Sequence, residues 1–163
     1  MKNLVKIQDK ILKKEALIKR LNIWRLKSDS IVITNGCFDI LHKGHIQLLA
    51  EAADKGNRLI VALNADESVR RLKGTERPIK NQESRALILA SLQFVDAVVI
   101  FEEDTPLDLI NVLQPDVLVK GGDYTEEEII GAKEVRKNGG EVFIVPLIPN
   151  SSTTSIVRKI KKD

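Results

Sequence analysis

The sequence predicts an α/β fold in which a doubly wound, five-stranded parallel sheet carries helices on both faces. Three observations predict it. Five short runs rich in valine and isoleucine recur along the chain, mostly apolar without alternation, as in strands buried on both sides of a parallel sheet. Amphipathic stretches of helical spacing separate consecutive runs. No internal repeat, low-complexity segment or Pro/Gly/Ser-rich linker divides the 163 residues, a length that suits one domain of roughly 100–200 residues.

The elements follow in order. From about Ile7 to Lys27, Ile7, Ile11, Ile18, Leu21 and Trp24 form a broken apolar stripe, so residues 1–28 read as a helical extension packed on a domain of residues 29–163. A dimer contact and a membrane-surface helix stay open as further uses of that stripe. The strands are expected at residues 31–34, 58–63, 95–101, 116–120 and 141–145. Helices are expected at 45–55 (stopped by Gly56), 83–92, 106–113, 125–137 and 152–161. Thr105 followed by Pro106 is a helix-start pattern, and Thr125 with Glu128 has capping-box spacing. The alternation is Rossmann-like, and such sheets bind ligands at the carboxyl ends of their strands.

Composition narrows the function. Hydrophobic residues at 43% and charged residues at 30% exclude a disordered chain, a collagen-like fibre and a disulfide scaffold. No apolar run approaches the ~20 residues that span a bilayer, and the MKNLVKIQDKILKK start lacks the apolar centre of a secretory signal. Cys37 is the single cysteine, which fits a reducing compartment, and a cytoplasmic protein is expected. The net charge of +3 suits a protein that handles phosphates and is too small to argue for nucleic acid by itself.

The chemistry concentrates between Thr34 and His45, TNGCFDILHKGH, at the first strand-to-helix turn. Both histidines of the chain, His42 and His45, fall in this one window, three residues apart and therefore on one helical face. A helix start offers unpaired N–H groups and a positive dipole end to a phosphate, and Gly44 lets a bulky anion approach. Two imidazoles there can donate hydrogen bonds to charge growing on a transferring phosphoryl group. A metal site built on Asp39, His42 and His45 lacks a further histidine or a second cysteine to complete it. Cys37 activated as a nucleophile competes with the plainer reading of a small packed thiol. Neither GxGxxG nor GxxxxGK[ST] occurs, which excludes the dinucleotide fingerprint and the P-loop. Between Ser68 and Pro78 a basic loop is expected, with Arg70, Arg71, Lys73 and Arg77 as a phosphate clamp.

HKGH resembles the HxGH signature of the nucleotidyltransferase superfamily that includes the cytidylyltransferases and adenylyltransferases. Asn64-Ala65-Asp66 after the second strand, SVRRLKGTERP, Arg85 opening a helix, VKGGDY and SSTT extend the likeness over residues 31–160. In this order the motifs resemble the heptose 1-phosphate adenylyltransferases. The resemblance implies a Rossmann-like domain that joins AMP from ATP to D-glycero-β-D-manno-heptose 1-phosphate, with Mg²⁺, and a sugar kinase upstream. It implies catalytic roles for His42, His45 and Lys73. It implies nucleotide contacts from Asn35, Gly36, Cys37, Phe38, Asp39, Gly44, Lys120, Gly122, Asp123, Tyr124, Ser152, Thr153 and Thr154. Acceptor contacts are implied for Asn64, Asp66, Arg71, Arg77 and Arg85. A homodimer, common in the superfamily, is a further expectation.

Rival readings are CTP-dependent transfer to glycerol- or ethanolamine-phosphate, an RNA-binding module and a scaffold using the basic tail. Leu147 and Ile148 stand where glycerol-phosphate cytidylyltransferases often carry arginine, which weighs against the first. HKGH is also similar to the HIGH motif of class I aminoacyl-tRNA synthetases. One Tyr, one Trp and four Phe give little for base stacking, which weighs against RNA.

Overall fold

Every valine- and isoleucine-rich run forms a strand of one parallel sheet, in a computed structural model that describes residues 1–122, 124–146 and 153–160, with only the backbone of 154, 155 and 158. The strands are β1 (Ile31–Gly36), β2 (Arg58–Asn64), β3 (Ala97–Phe101), β4 (Val117–Gly121) and β5 (Glu141–Val145). Their order is β3-β2-β1-β4-β5, all parallel. The helices are α1 (Lys2–Gln8), α2 (Lys14–Leu26), α3 (Lys43–Ala53), α4 (Asp66–Lys73), α5 (Gln82–Ala90), α6 (Leu107–Leu113), α7 (Ala132–Lys137) and α8 (Thr153–Ile160), with a 3₁₀ turn at Glu126–Glu128.

Side chains alternate across β1. Ile31 and Ile33 join a core with α2, α6 and α7 through Leu17, Leu21, Trp24, Ile110, Leu113 and Val135. Val32 joins the opposite core with Leu49 and Ala52 of α3 and Ala86, Leu89 and Ala90 of α5. Both faces are therefore covered, as a parallel sheet requires. At the amino-terminal edge, carboxylates take up the first strand N–H groups. Asp116 Oδ2 accepts from Ile31 N at 2.7 Å, and Asp96 Oδ2 from Leu59 N at 2.9 Å.

Three local expectations are corrected. The single helix over 7–27 is two helices. Between them, Leu12 N donates to the Val98 carbonyl at 2.9 Å and Val98 N to the Lys10 carbonyl at 2.8 Å, so this short segment covers the open edge of β3. An exposed edge is costly, and pairing it outweighs helix continuity. The helix over 125–137 is interrupted by Gly131 at φ +92°, where an added Cβ would lie 2.4 Å from Ile110 Cδ1. The capping box of Thr125 and Glu128 forms, on the 3₁₀ turn. The basic loop over 68–78 is mostly helix: α4 has Asp66 and Glu67 in its first turn, Arg70, Arg71 and Lys73 in its last, and Gly74 at its end. Acids at the start and cations at the end both favour the helix dipole.

The amino-terminal residues belong to the core, since Leu17 and Leu21 of α2 are fully buried in the same cluster as Ile31 and Ile33. Leu17→Ala is expected to destabilise the domain by about 2–5 kcal/mol, the range for truncating a buried leucine, in urea unfolding. A loss under about 1 kcal/mol, a surface-like value, would show that α2 is detachable.

Candidate active site

The chain runs from β1 out to β3 and then returns to β4 beside β1, so the crevice of the sheet opens between the carboxyl ends of β1 and β4. Across it, Lys120 Nζ donates to Asn35 Oδ1 at 3.1 Å. Burial, helped by the neighbouring Lys73 ammonium, lowers the pKa of Lys120, and Cys37 acts the other way.

The turn after β1 carries the histidines. Phe38 is at φ +43° and turns its ring inward. Gly36 accepts that ring, for a Cβ there would lie 3.0 Å from Phe38 Cε2. The Phe38 ring meets His45 edge-on at 5.3 Å between centroids, and His45 stacks on His42 at 3.8 Å. His42 is the N-cap of α3, with its carbonyl accepting from His45 N at 2.9 Å. The Nδ1 atoms of both histidines, and Thr34 Oγ1 in β1, are buried without a partner among the described residues. Buried polar atoms of this kind are rare and mark places that call for a functional account. The first turn of α3 holds no acid, so its dipole end is uncompensated. Thr153, at the start of α8, donates from Oγ1 to the Ile40 carbonyl at 3.4 Å, which brings a second helix start to the same turn.

Both imidazoles are disfavoured in their charged forms. Burial lowers the pKa of His42. Burial, then His42 and Lys73, push His45 down to about 4, with the Ile40 carbonyl opposing.

The structure brings His42, His45, Lys73, Lys120, Asn35, Gly36, Phe38, Gly44 and Thr153 to this edge. Gly122, at φ +141°, continues it, and a Cβ there would lie 2.5 Å from the half-exposed Tyr124 ring. Cys37 is half-buried, with Sγ 4.0 Å from Asn64 Oδ1. Asn64 is buried and donates from Nδ2 to Ser68 Oγ at 3.0 Å. Asp123 and Ser152 lie outside the described residues, and Thr154 is described only as backbone of α8.

The expected four-cation clamp does not assemble: each of its three arginines is held by a separate acid, and Arg77 lies beyond the end of α4. Arg70 pairs with Glu67. Arg71 binds Asp104 at 2.6 Å and the Glu102 carbonyl at 2.6 Å, beside a cavity of about 540 Å³ that Asp66, Gln82 and Glu83 also line. Arg77 turns to Asp39 at 2.8 Å. Asp39 also accepts from Ile79 N at 2.8 Å and Lys80 N at 3.0 Å. Burial alone would raise the Asp39 pKa, but the Lys80 and Ile79 N–H groups and the Arg77 guanidinium hold it below the ordinary range. Arg85 is fully buried, and each of its three side-chain nitrogens donates to a protein oxygen. Gln82 and Ser68 were not singled out in the sequence. Gln82 Oε1 accepts from Asp66 N at 2.9 Å, and Ser68 Oγ donates to the Glu103 carbonyl at 2.9 Å. A helix start at Asp66 is the signal that would have exposed Ser68; nothing in the sequence marks Gln82.

A family model described as cytidylyltransferase-like matches residues 33–160. The chain belongs to the cytidylyltransferase-like family. The bifunctional protein HldE of Methylobacillus flagellatus is 47% identical over 152 residues, covering 93% of this chain and 31% of that protein. The HldE of Rhodopseudomonas palustris strain HaA2 is 52% identical over 156 residues, covering 95% of this chain and 32% of that protein. The chain thus spans about a third of the length of these relatives. A crystal structure of the lipopolysaccharide core biosynthesis protein from Thermoplasma volcanium GSS1 is 30% identical with a TM-score of 0.61, covering 76% of this chain and 99% of that one. A pantoate-β-alanine ligase from Francisella tularensis shares the fold at 17% identity, with a TM-score of 0.57 over 94% of this chain and 78% of that one. Among the described residues, no helix is long and apolar enough to cross a membrane.

The histidine environment sets a pH dependence of this cytidylyltransferase-like domain. His45 titrates near 4 when folded and near 6.5 when exposed. As pH falls through that window, the unfolded chain takes up a proton that the folded chain refuses, so stability drops. His45→Gln removes this contribution. Between pH 7 and pH 5 the variant is expected to lose less stability than the parent, by on the order of 1 kcal/mol, in paired urea titrations. Parallel losses would show that His45 is not held uncharged.

Proposed function

We propose that the chain transfers AMP from ATP to a sugar 1-phosphate, D-glycero-β-D-manno-heptose 1-phosphate, releasing ADP-heptose and pyrophosphate. The observation that carries the reading is the stacked, uncharged pair His42–His45 at an acid-free helix start, with Lys73 and Lys120 nearby. Among the described residues, neither lysine forms an ion pair with a carboxylate. Such a site suits an anion whose charge grows during reaction. The choice of sugar is supported by the order of the HxGH, VRRLKG, VKGGDY and STT motifs and by the likeness to HldE and to a lipopolysaccharide core biosynthesis protein. A sugar kinase activity upstream would supply the 1-phosphate.

An oxygen of the acceptor phosphate attacks the α-phosphorus of ATP. The new P–O bond forms as the bond to the β-phosphate bridging oxygen breaks, and pyrophosphate leaves with that electron pair. No covalent enzyme intermediate is needed. His42 and His45 each donate one imidazole N–H to the α-phosphate or the bridging oxygen. The start of α3 adds backbone N–H groups, and the start of α8 is the second anchor for the phosphate tail. Lys73 and Lys120 stabilise the added negative charge. Positioning and electrostatics supply the rate in such transfers. Among the described residues, no group of three or more His, Cys, Asp or Glu side chains could hold a metal ion. The described residues do not fit a protein cage for Mg²⁺, a metal commonly carried on substrate phosphates.

The test is Mg²⁺-dependent pyrophosphate release, crossing ATP and CTP with heptose 1-phosphate, glycerol 3-phosphate and ethanolamine phosphate. Release with ATP and the heptose phosphate is expected. Release only with CTP and an alcohol phosphate would overturn the substrate assignment. In the active pair, His45→Ala is expected to lower turnover by ~10²–10³, the scale of losing one donor to developing charge. Near-parental turnover would remove His45 from the mechanism.

A further inference from the structure

We propose that Arg85 is a positioning residue for this reaction, a buried three-way brace that fixes the histidine turn against the helix bearing Lys73, and not a phosphate ligand. The proposal rests on the nucleotidyl-transfer reading of the site. Arg85 sits on α5 with its side chain wholly inaccessible. Its Nη1 donates to the Cys37 carbonyl at 2.6 Å, Nη2 to Asp66 Oδ1 at 2.7 Å, and Nε to the Lys80 carbonyl at 3.0 Å.

Each arm ends on a different segment of the ligand edge. Cys37 lies in the turn between β1 and His42. Asp66 opens α4, and Lys73 closes it. Lys80 ends the loop that Asp39, from the histidine turn, also holds through Arg77, Ile79 and Lys80. Arg85 and Asp39 therefore clasp the same loop from two sides. Only a planar guanidinium presents donors in three fixed directions at once; an ammonium is a single point. With no exposed surface and each nitrogen bonded to a protein oxygen, the group has no face to offer a phosphate. What it controls is spacing. Lys73 lies near enough to His45 to disfavour its protonation, so a shift of α4 alters the field at the reacting atoms.

The experiment combines Arg85→Lys with kinetics and a proton NMR titration of the His45 ring in the ligand-free protein. With circular dichroism unchanged, kcat is expected to fall ~10²-fold, the cost of a misplacement of about 1 Å. The KM for ATP should stay within about threefold, as when uniform binding is kept. The His45 midpoint should rise above about 4 as Lys73 moves away, while burial and His42 keep it below the ordinary value. Unchanged kcat with an unchanged midpoint would overturn the proposal. A raised KM with preserved kcat would do so as well, by making Arg85 a substrate contact. Should Arg85→Lys fail to fold, Asp66→Asn weakens only the arm to α4 and is expected to move kcat and the midpoint in the same directions; no movement of either overturns the brace. The titration needs no substrate, so it decides the brace even if the wild-type protein releases no pyrophosphate, the result that would sink the nucleotidyl-transfer reading alone.

Discussion

Val32, Ile33 and Thr34 pair with Leu59, Ile60 and Val61 on one side and with Val117, Leu118 and Val119 on the other. That double pairing fixes β1 at the centre of the sheet, and the remaining architecture depends on it. Parallel neighbours need crossover connections, and right-handed crossovers that run in opposite directions along the sheet cover opposite faces. The connections on one side carry α3 and α5, and α6 and α7 cover the other face. At the carboxyl end of β1 no connection passes over its gap with β4. The crevice is thus a consequence of the strand order, and Asn35 and Lys120 meet across it because they end adjacent strands.

The two edges of the sheet treat charge differently. At the amino-terminal edge, Asp96 and Asp116 accept strand N–H groups, and Arg58 joins Asp29 at 2.7 Å and Asp96 at 3.2 Å. At the ligand edge Asp39 and Asp66 are each matched by an arginine, at 2.8 and 2.7 Å. Their neutralisation leaves the field of the crevice to Lys73, Lys120 and the helix starts. Burial, with the neighbouring His42 and Lys73, disfavours the charged form of His45.

How much of this the sequence disclosed depends on range. The sheet was legible because its strands are continuous apolar runs, and the histidine site because His42 and His45 share one turn at a strand end. The interruption near Lys10 was not, since its cause is the distant edge at Val98 and no local residue announces it. Helix α4 was legible in principle, from Asp66 and Glu67 at its start and Gly74 at its end, but its cations read first as a phosphate-binding set. Their separation follows from the acids that hold them, Glu67, Asp104 and Asp39, two of which are distant in sequence. The partners of Asp39 and Arg85 lie 38 to 48 residues away along the chain for Arg77 and Cys37, and no spacing rule reaches so far.

The division of labour between arginine and lysine follows from their chemistry. Arg77 and Arg85 hold fixed oxygens in fixed directions, a task for a rigid, weakly hydrated fork. Lys73 and Lys120 carry no such frame. An ammonium on a flexible stem can follow an anion whose charge moves from one oxygen to the next, which a planar fork locked to one carboxylate cannot do. Burial also makes the Lys120 proton easier to lose, so an anion that binds there gains a strong partner while relieving a poorly solvated charge. With Arg77 and Arg85 neutralising Asp39 and Asp66, the acids of this edge are held without cancelling the positive field of Lys73 and Lys120.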